Sequence, residues 1–406
     1  MRGIFSSQRF GRPQLLAGVL LLVFIGECAW LVAHEYPGTF STSTSEVELV
    51  RIEEGLAQWH GQGIAGTPSV WIASLEPPPA AGDSYDPHHS PLWYLIASAP
   101  VYVFHVSADS RLWIWLTRAP YIVFGTLLGA SLWYVSRRLY GNPGGYIALG
   151  LYCFSPAVIR SSALWAAPPD VAGAWGTFGA VFTAIAVSHT LYAPREVVLW
   201  NWRRIVLLGV SLTLAMGSQF GLAVILPILL AFMLYLAPDR KAAVAIILTA
   251  ACVTALLLLL SSYFFHPGLF FQGLRHARLL DASWRSLKMP GAYLLLLKEV
   301  AESGPVLLLL APAALAAYFG WRRTRYFGNT APLIMAGLFL LLRLLSPHAS
   351  GTVFVLTAVV FLFVFIAGIA ADLLETKASE IVTAIVVGLV CANAFWDLAA
   401  LARIGR

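Results

Sequence analysis

Residues 111–141 read RLWIWLTRAPYIVFGTLLGASLWYVSRRLYG. From Leu112 to about Val135 the stretch is predominantly apolar and long enough to cross a bilayer as a helix, and it ends on the paired cations Arg137 and Arg138. A span closed by a short basic turn is the repeating unit of a polytopic membrane protein, whose Lys and Arg gather in the cytoplasmic loops. The whole chain has the composition such a unit demands. Of its 406 residues 59% are hydrophobic and 11% charged, with a mean hydropathy of +0.76, against about 25% charged in an ordinary soluble domain. These values exclude a soluble enzyme, a disordered chain and a nucleic-acid-binding domain. The net charge of +6 is then the cationic surplus that orients a membrane protein. Cys28, Cys153, Cys252 and Cys391 stand apart in apolar stretches, so they form neither a disulfide framework nor a metal knuckle.

Working outward, Arg2, Arg9 and Arg12 precede an apolar run from Leu15 to Val32, which reads as a first span or uncleaved anchor. Further runs fall at 144–163, 171–189, 205–219, 221–237, 242–264, 304–320, 330–345, 352–371 and 380–400. The expectation is an all-α polytopic membrane protein, a single integral membrane domain over 1–406 with about eleven spans and no C-terminal soluble domain. With the N-terminus cytoplasmic, Arg137/Arg138, Arg203/Arg204, Arg240/Lys241, Arg322/Arg323/Arg325 and Lys377 all fall inside. Counting Pro91–Phe104 as a full span would invert every later loop, so this apolar segment is expected to be a juxtamembrane or re-entrant helix.

Two segments remain on the outer face, and function is expected there, because connections carry chemistry while packed spans carry scaffold. Segment 35–110 is acidic, with Arg51 its single Lys or Arg before Ser110. Segment 265–302 is basic, carrying Arg275, Arg278, Arg285, Lys288 and Lys298 against Asp281, Glu299 and Glu302. Either the two pair with each other across the surface, or the basic segment holds a lipid phosphate, for which Arg provides a bidentate fork. Within the first loop, Ser45–Trp59 puts Leu49, Ile52, Leu56 and Trp59 on one helical face, an interfacial helix. Ser45 and Glu48 fit a capping box, which leaves Glu46 freer to face a substrate. Asp86 beside His88 and His89 can act as acid and base or hold a divalent cation. Asp170, behind Pro168 and Pro169, either caps the fourth span or serves the site as an acid at the mouth of the bundle, with Arg160 as a candidate partner. Glu27 and Arg343 are intramembrane charges without a motif.

The order of these features resembles the C-type, lipid-linked glycosyltransferases, in particular the protein mannosyltransferase and lipid A aminoarabinose transferase group. The likeness rests on Glu46, on HHSPLWY at 88–94 including Tyr94, on the stretch opened by Arg111, and on SPAVIRSSALWAAPPD at 155–170 with Arg160 and Asp170. The family's first-loop Asp-Glu pair reads Ser45-Glu46 here, its H-P-P-L reads His89-Ser90-Pro91-Leu92, and Gln219 stands where a Lys is common. The resemblance implies a bundle with outer juxtamembrane helices and a polyprenyl-phosphate sugar as donor. The acceptor would be a lipid, glycan or protein on the outer face.

The resulting expectation is an inverting glycosyltransferase of the cell envelope, in a bacterial inner membrane with its site on the periplasmic side. Glu46, Asp86 and Asp170 are the candidate catalytic acids. Glu48, His88, His89, Tyr94, Arg111, Arg160, Arg275, Arg278, Arg285 and Lys298 are the candidate substrate-binding residues. No organic cofactor is implied. The rivals are a lipid or sugar transporter or flippase, and a non-catalytic relative that binds lipid-linked glycans. Mid-membrane polar residues and internal repeats would favour transport, and no repeat is found.

Overall fold

A computed structural model describes residues 13–34, 52–53, 55–60, 89–107, 110–163, 169–192, 202–277, 279–280, 282–347 and 351–404. Among them every regular element is helical. In chain order the α-helices are α1 Pro13–His34, α2 Pro91–Phe104, α3 Arg111–Cys153, α4 Pro156–Ala163, α5 Asp170–Thr190, α6 Trp202–Ser218 and α7 Ile225–Leu236. They continue with α8 Lys241–Ser262, α9 Pro267–His276, α10 Pro290–Ser303, α11 Leu307–Gly320, α12 Phe327–Leu345, α13 Thr352–Leu374 and α14 Ser379–Ile404.

Seven of the described helices are long and apolar enough to cross a membrane, or eight if the pair α10 and α11, bent by 101°, counts as one. The difference from eleven apolar runs has local causes. Two runs share α3, which is broken at Gly141 by a left-handed backbone (φ 74°, ψ −174°), a conformation that glycine adopts without a steric penalty. The run at 144–163 is cut again where Pro156 starts α4. Runs 205–219 and 221–237 are separated at Gln219, whose extended backbone (φ −157°) precedes a 3-10 turn over Phe220–Val224, leaving α6 and α7 short. Pro91–Phe104 is a 14-residue apolar helix, shorter than the helices long enough to cross a membrane.

The chain forms two compact units: residues 1–36, 122–164 and 282–406 in the first, and 37–121 and 165–281 in the second. In the first, α13 is the core. Every residue from Val353 to Ala370 is buried, because a helix apolar all round needs neighbours on every side, and α10, α11, α12 and α14 supply them. In the second, α6 packs between α5 and α8. Gly176 sets the α5–α6 approach: a Cβ there would lie 2.4 Å from Ala215 N and 2.6 Å from Ser211 O. Small residues permit such backbone contact in membrane helices, where packing replaces the hydrophobic drive.

Candidate functional site

In the second unit the start of α2 is tied to the end of α6. Ser90 is the N-cap of α2, and Pro91 follows at the position where a missing N–H costs nothing. The Ser90 backbone N–H and hydroxyl both donate to Gly217 O, at 3.0 and 3.1 Å. Ser90 in His89-Ser90-Pro91-Leu92 therefore has a structural task. It also brings the α2 start to the break that holds Gln219, which is buried.

Trp93, one turn on, is buried and donates from Nε1 to Tyr121 Oη at 2.9 Å, with the two rings edge to face at 4.8 Å. Arg118, fully buried, places its guanidinium 4.4 Å from the Tyr121 ring centre, a cation–π contact strengthened by desolvation. Tyr94 is 1% exposed and packs inward. Its carbonyl accepts from Ser98 Oγ at 2.6 Å. The short helix at 55–59 lies against α2, with Trp59 Nε1 donating to Leu95 O at 3.0 Å and its ring stacked on Tyr102. Gly55 is required there, since a Cβ would fall 2.3 Å from Tyr94 O.

Asp170 opens α5 and is buried. The N-cap position is Pro169, which has no side-chain group to make a cap bond, and Asp170 is the first residue of the helix. It lies where the positive end of the helix dipole favours an anion. His89 is half-buried, Arg111 is the exposed first residue of α3, and Arg275 is exposed on α9. All belong to the second unit. Glu46, Glu48, Asp86, His88 and Arg278 lie outside the described residues.

The remaining candidates belong to the first unit. Arg160 is half-buried on α4, within electrostatic reach of the fully buried Asp397 on α14. Asp397 in turn acts on buried Glu27 of α1. Among the described residues neither carboxylate has a hydrogen-bond partner. Arg285 is exposed, and exposed Lys298 pairs with Glu302 at 3.8 Å. Arg343 forms a two-pronged pair with Glu299, Nε to Oε2 at 2.7 Å and Nη2 to Oε1 at 2.5 Å, while Nη1 donates to Ser346 O at 2.7 Å.

Arg118 and Asp397 are polar residues that the sequence reading passed over. The signal for Arg118 was present: a charge inside an apolar run, two helical turns from Arg111 and on the same face. As to a metal, the described residues contain no group of three or more His, Cys, Asp or Glu side chains able to hold an ion. No step is assigned to one below.

No protein-family model matches the chain, and no curated protein matches it by sequence. Solved structures do match. The Archaeoglobus fulgidus oligosaccharyltransferase in complex with Zn and sulfate is 15% identical with a TM-score of 0.61, over 94% of this chain and 53% of that one. The archaeal oligosaccharyltransferase AglB from the same organism, in complex with an inhibitory peptide and a dolichol-phosphate, is 13% identical with a TM-score of 0.59, over 97% and 56%. The chain thus spans about half the length of the structures it matches. Helix content and these matches agree: over its length the chain has the all-helical fold of the matched part of the archaeal oligosaccharyltransferase.

Proposed function

We propose that this protein is an inverting glycosyltransferase that moves a sugar from a polyprenyl-phosphate donor to a hydroxyl-bearing acceptor at the outer membrane face. The observation that carries the reading is Asp170: a buried acid at the start of a membrane helix, in a fold shared with a protein solved with dolichol-phosphate. Such an acid is costly to keep in a membrane and marks function by default.

In this reaction the acceptor oxygen attacks the anomeric carbon while its proton passes to a carboxylate. The bond from that carbon to the donor phosphate oxygen breaks, and the electron pair leaves with the phosphate. Glu46 or Asp86 serves as the general base. Asp170 accepts hydrogen bonds from acceptor or sugar hydroxyls and fixes the line of attack. Arg275, a cation of the unit that also holds Asp170, and Arg278, close to it in sequence, stabilise the charge growing on the leaving phosphate. His89, just before α2, and Arg111, the first residue of α3, are further polar candidates of the same unit.

The test is to incubate the purified chain with a panel of polyprenyl-phosphate sugars and measure released polyprenyl phosphate. Release from one donor, abolished in Asp170→Asn, is the expected result. Binding of donor without release under any acceptor condition would favour a non-catalytic glycan-binding protein. Vectorial movement of intact donor in vesicles would favour a transporter.

A further inference from the structure

The segment that follows Asp281 begins and returns at one place on the first unit. Ser283 N donates to Leu345 O at 2.8 Å, and sixteen residues later Glu299 closes its two-pronged pair with Arg343 of the same last turn of α12. Both ends are therefore held at the level of the α12 terminus. Past Ser303, Gly304 adopts a backbone open to glycine (φ 157°), and α11 departs at 101° to α10. If α11 runs along the membrane normal, α10 runs along the membrane plane.

The helix itself has three distinct faces. Ala292, Val300 and Ser303 are buried against the unit. Tyr293, Leu294 and Leu297, within a third of a turn of one another at 3.6 residues per turn, are 44%, 67% and 54% exposed. Lys298 and Glu302 form the next stripe and bond to each other. Just before the helix, Trp284 (74%) and Met289 (54%) are exposed beside the exposed Arg285 and Lys288. Apolar and charged stripes side by side on a helix at right angles to a span are the marks of an element lying in the interface. The exposed cations Arg285, Lys288 and Lys298 outnumber the exposed acid Glu302. They lie at the end of α11 opposite Arg322, Arg323 and Arg325.

We propose that Trp284–Ser303 lies flat in the membrane interface opposite the Arg322–Arg325 end and binds phosphates of anionic phospholipid through Arg285, Lys288 and Lys298. Trp284, Met289, Tyr293, Leu294 and Leu297 enter the boundary between headgroups and acyl chains, while the ammonium and guanidinium groups remain at phosphate level, as long cationic side chains do. The surface is a site for bulk lipid, and it stands or falls independently of sugar transfer.

The experiment uses the full chain in nanodiscs of phosphatidylcholine with or without phosphatidylglycerol. Spin labels go at Leu294→Cys and Glu302→Cys after serine replacement of Cys252 and Cys391. Position 294 is expected to be relaxed by lipid-soluble oxygen and position 302 by a water-soluble nickel chelate. Nickel access at 294, or oxygen access at both, would overturn the flat placement.

Phosphatidylglycerol is expected to raise the melting temperature of the wild type. In Arg285→Gln/Lys288→Gln/Lys298→Gln, the phosphatidylglycerol fraction giving half the shift should rise at least ~5-fold, the scale of one lost cation at an anionic surface. The charge-keeping triple Arg285→Lys/Lys288→Arg/Lys298→Arg should behave as wild type, which guards against a folding defect. Equal stabilisation of the Gln triple and the wild type would assign these cations to the chain's own acids and overturn the proposal.

Discussion

Arg343 and Glu299 are two charges withdrawn from water, with side chains 3% and 16% exposed. Such a pair adds little net stability over an apolar pair of like volume, but removing one partner strands the other. Glu299→Gln should therefore cost about 3 kcal/mol or more, read as a lower melting temperature in detergent. Glu299→Leu/Arg343→Met should recover most of the loss. Asp170 is predicted to act on substrate: Asp170→Asn should lower kcat by ~100-fold or more while expression and melting temperature are kept. Loss of folding in place of turnover would make the residue structural. The two residues also show how far a sequence can be read at this scale. A charge in or at the mouth of an apolar run made Asp170 and Arg343 legible as candidates, but the partner of Arg343 lies 44 positions away and no spacing rule reaches it. Arg160, read from the sequence as a candidate partner of Asp170, lies within electrostatic reach of Asp397, 237 positions on, a neighbour that no spacing rule reaches.

At the scale of elements, glycine placement makes a paired test. Gly176 and Gly337 both sit inside helices, α5 and α12. A Cβ at Gly176 would meet backbone of α6 at 2.4 Å, while at Gly337 nothing lies within 4 Å. Backbone cannot swing aside as a flexible side chain can, so Gly176→Ala should destabilise by about 1–3 kcal/mol, the range for overpacking. Gly337→Ala should instead stabilise by up to ~1 kcal/mol, because alanine has less freedom to lose in a helix. Thermal melts of both variants beside the wild type decide the matter, and equal effects would remove the close-packing account of α5 and α6. Hydropathy foresaw where these helices lie, and the charges of the later loops made α2 less than a full span, which its 14 residues match. It could not foresee that α3 would continue past Gly141, or that α10 would turn by 101° into α11. Apolar content counts residues that favour lipid and does not register the backbone angles of the glycines between them.

At the scale of the whole chain, the sidedness of the loops is the remaining physical claim, and it rests on charge. Composition alone made the chain a helical membrane protein, and motif order alone pointed to the fold that the solved structures share. The substrate is not legible in the same way, because an apolar period can place Glu46 on a helix but says nothing of what its carboxylate, or that of Asp86, would touch. Orientation is legible: Arg137 and Arg138, Arg203 and Arg204, Arg240 and Lys241, and Arg322 to Arg325 all fall on one side if the N-terminus is cytoplasmic. Reversal would leave every one of these short basic loops outside, against the bias that sets topology. On that orientation the cations at 275–298 are the exception, and the phosphate-bearing ligands proposed above, donor for Arg275 and phospholipid for Arg285, Lys288 and Lys298, would give that exception a cause. With Cys252 and Cys391 replaced by serine, a cysteine at position 288 should react with a membrane-impermeant maleimide added to intact cells. A cysteine at position 322 should react only after lysis. Labelling at 322 in intact cells with protection at 288 would invert the chain, move Asp170 and the basic segment to the cytoplasmic face, and remove the reason for seeking a lipid-linked donor on the outside.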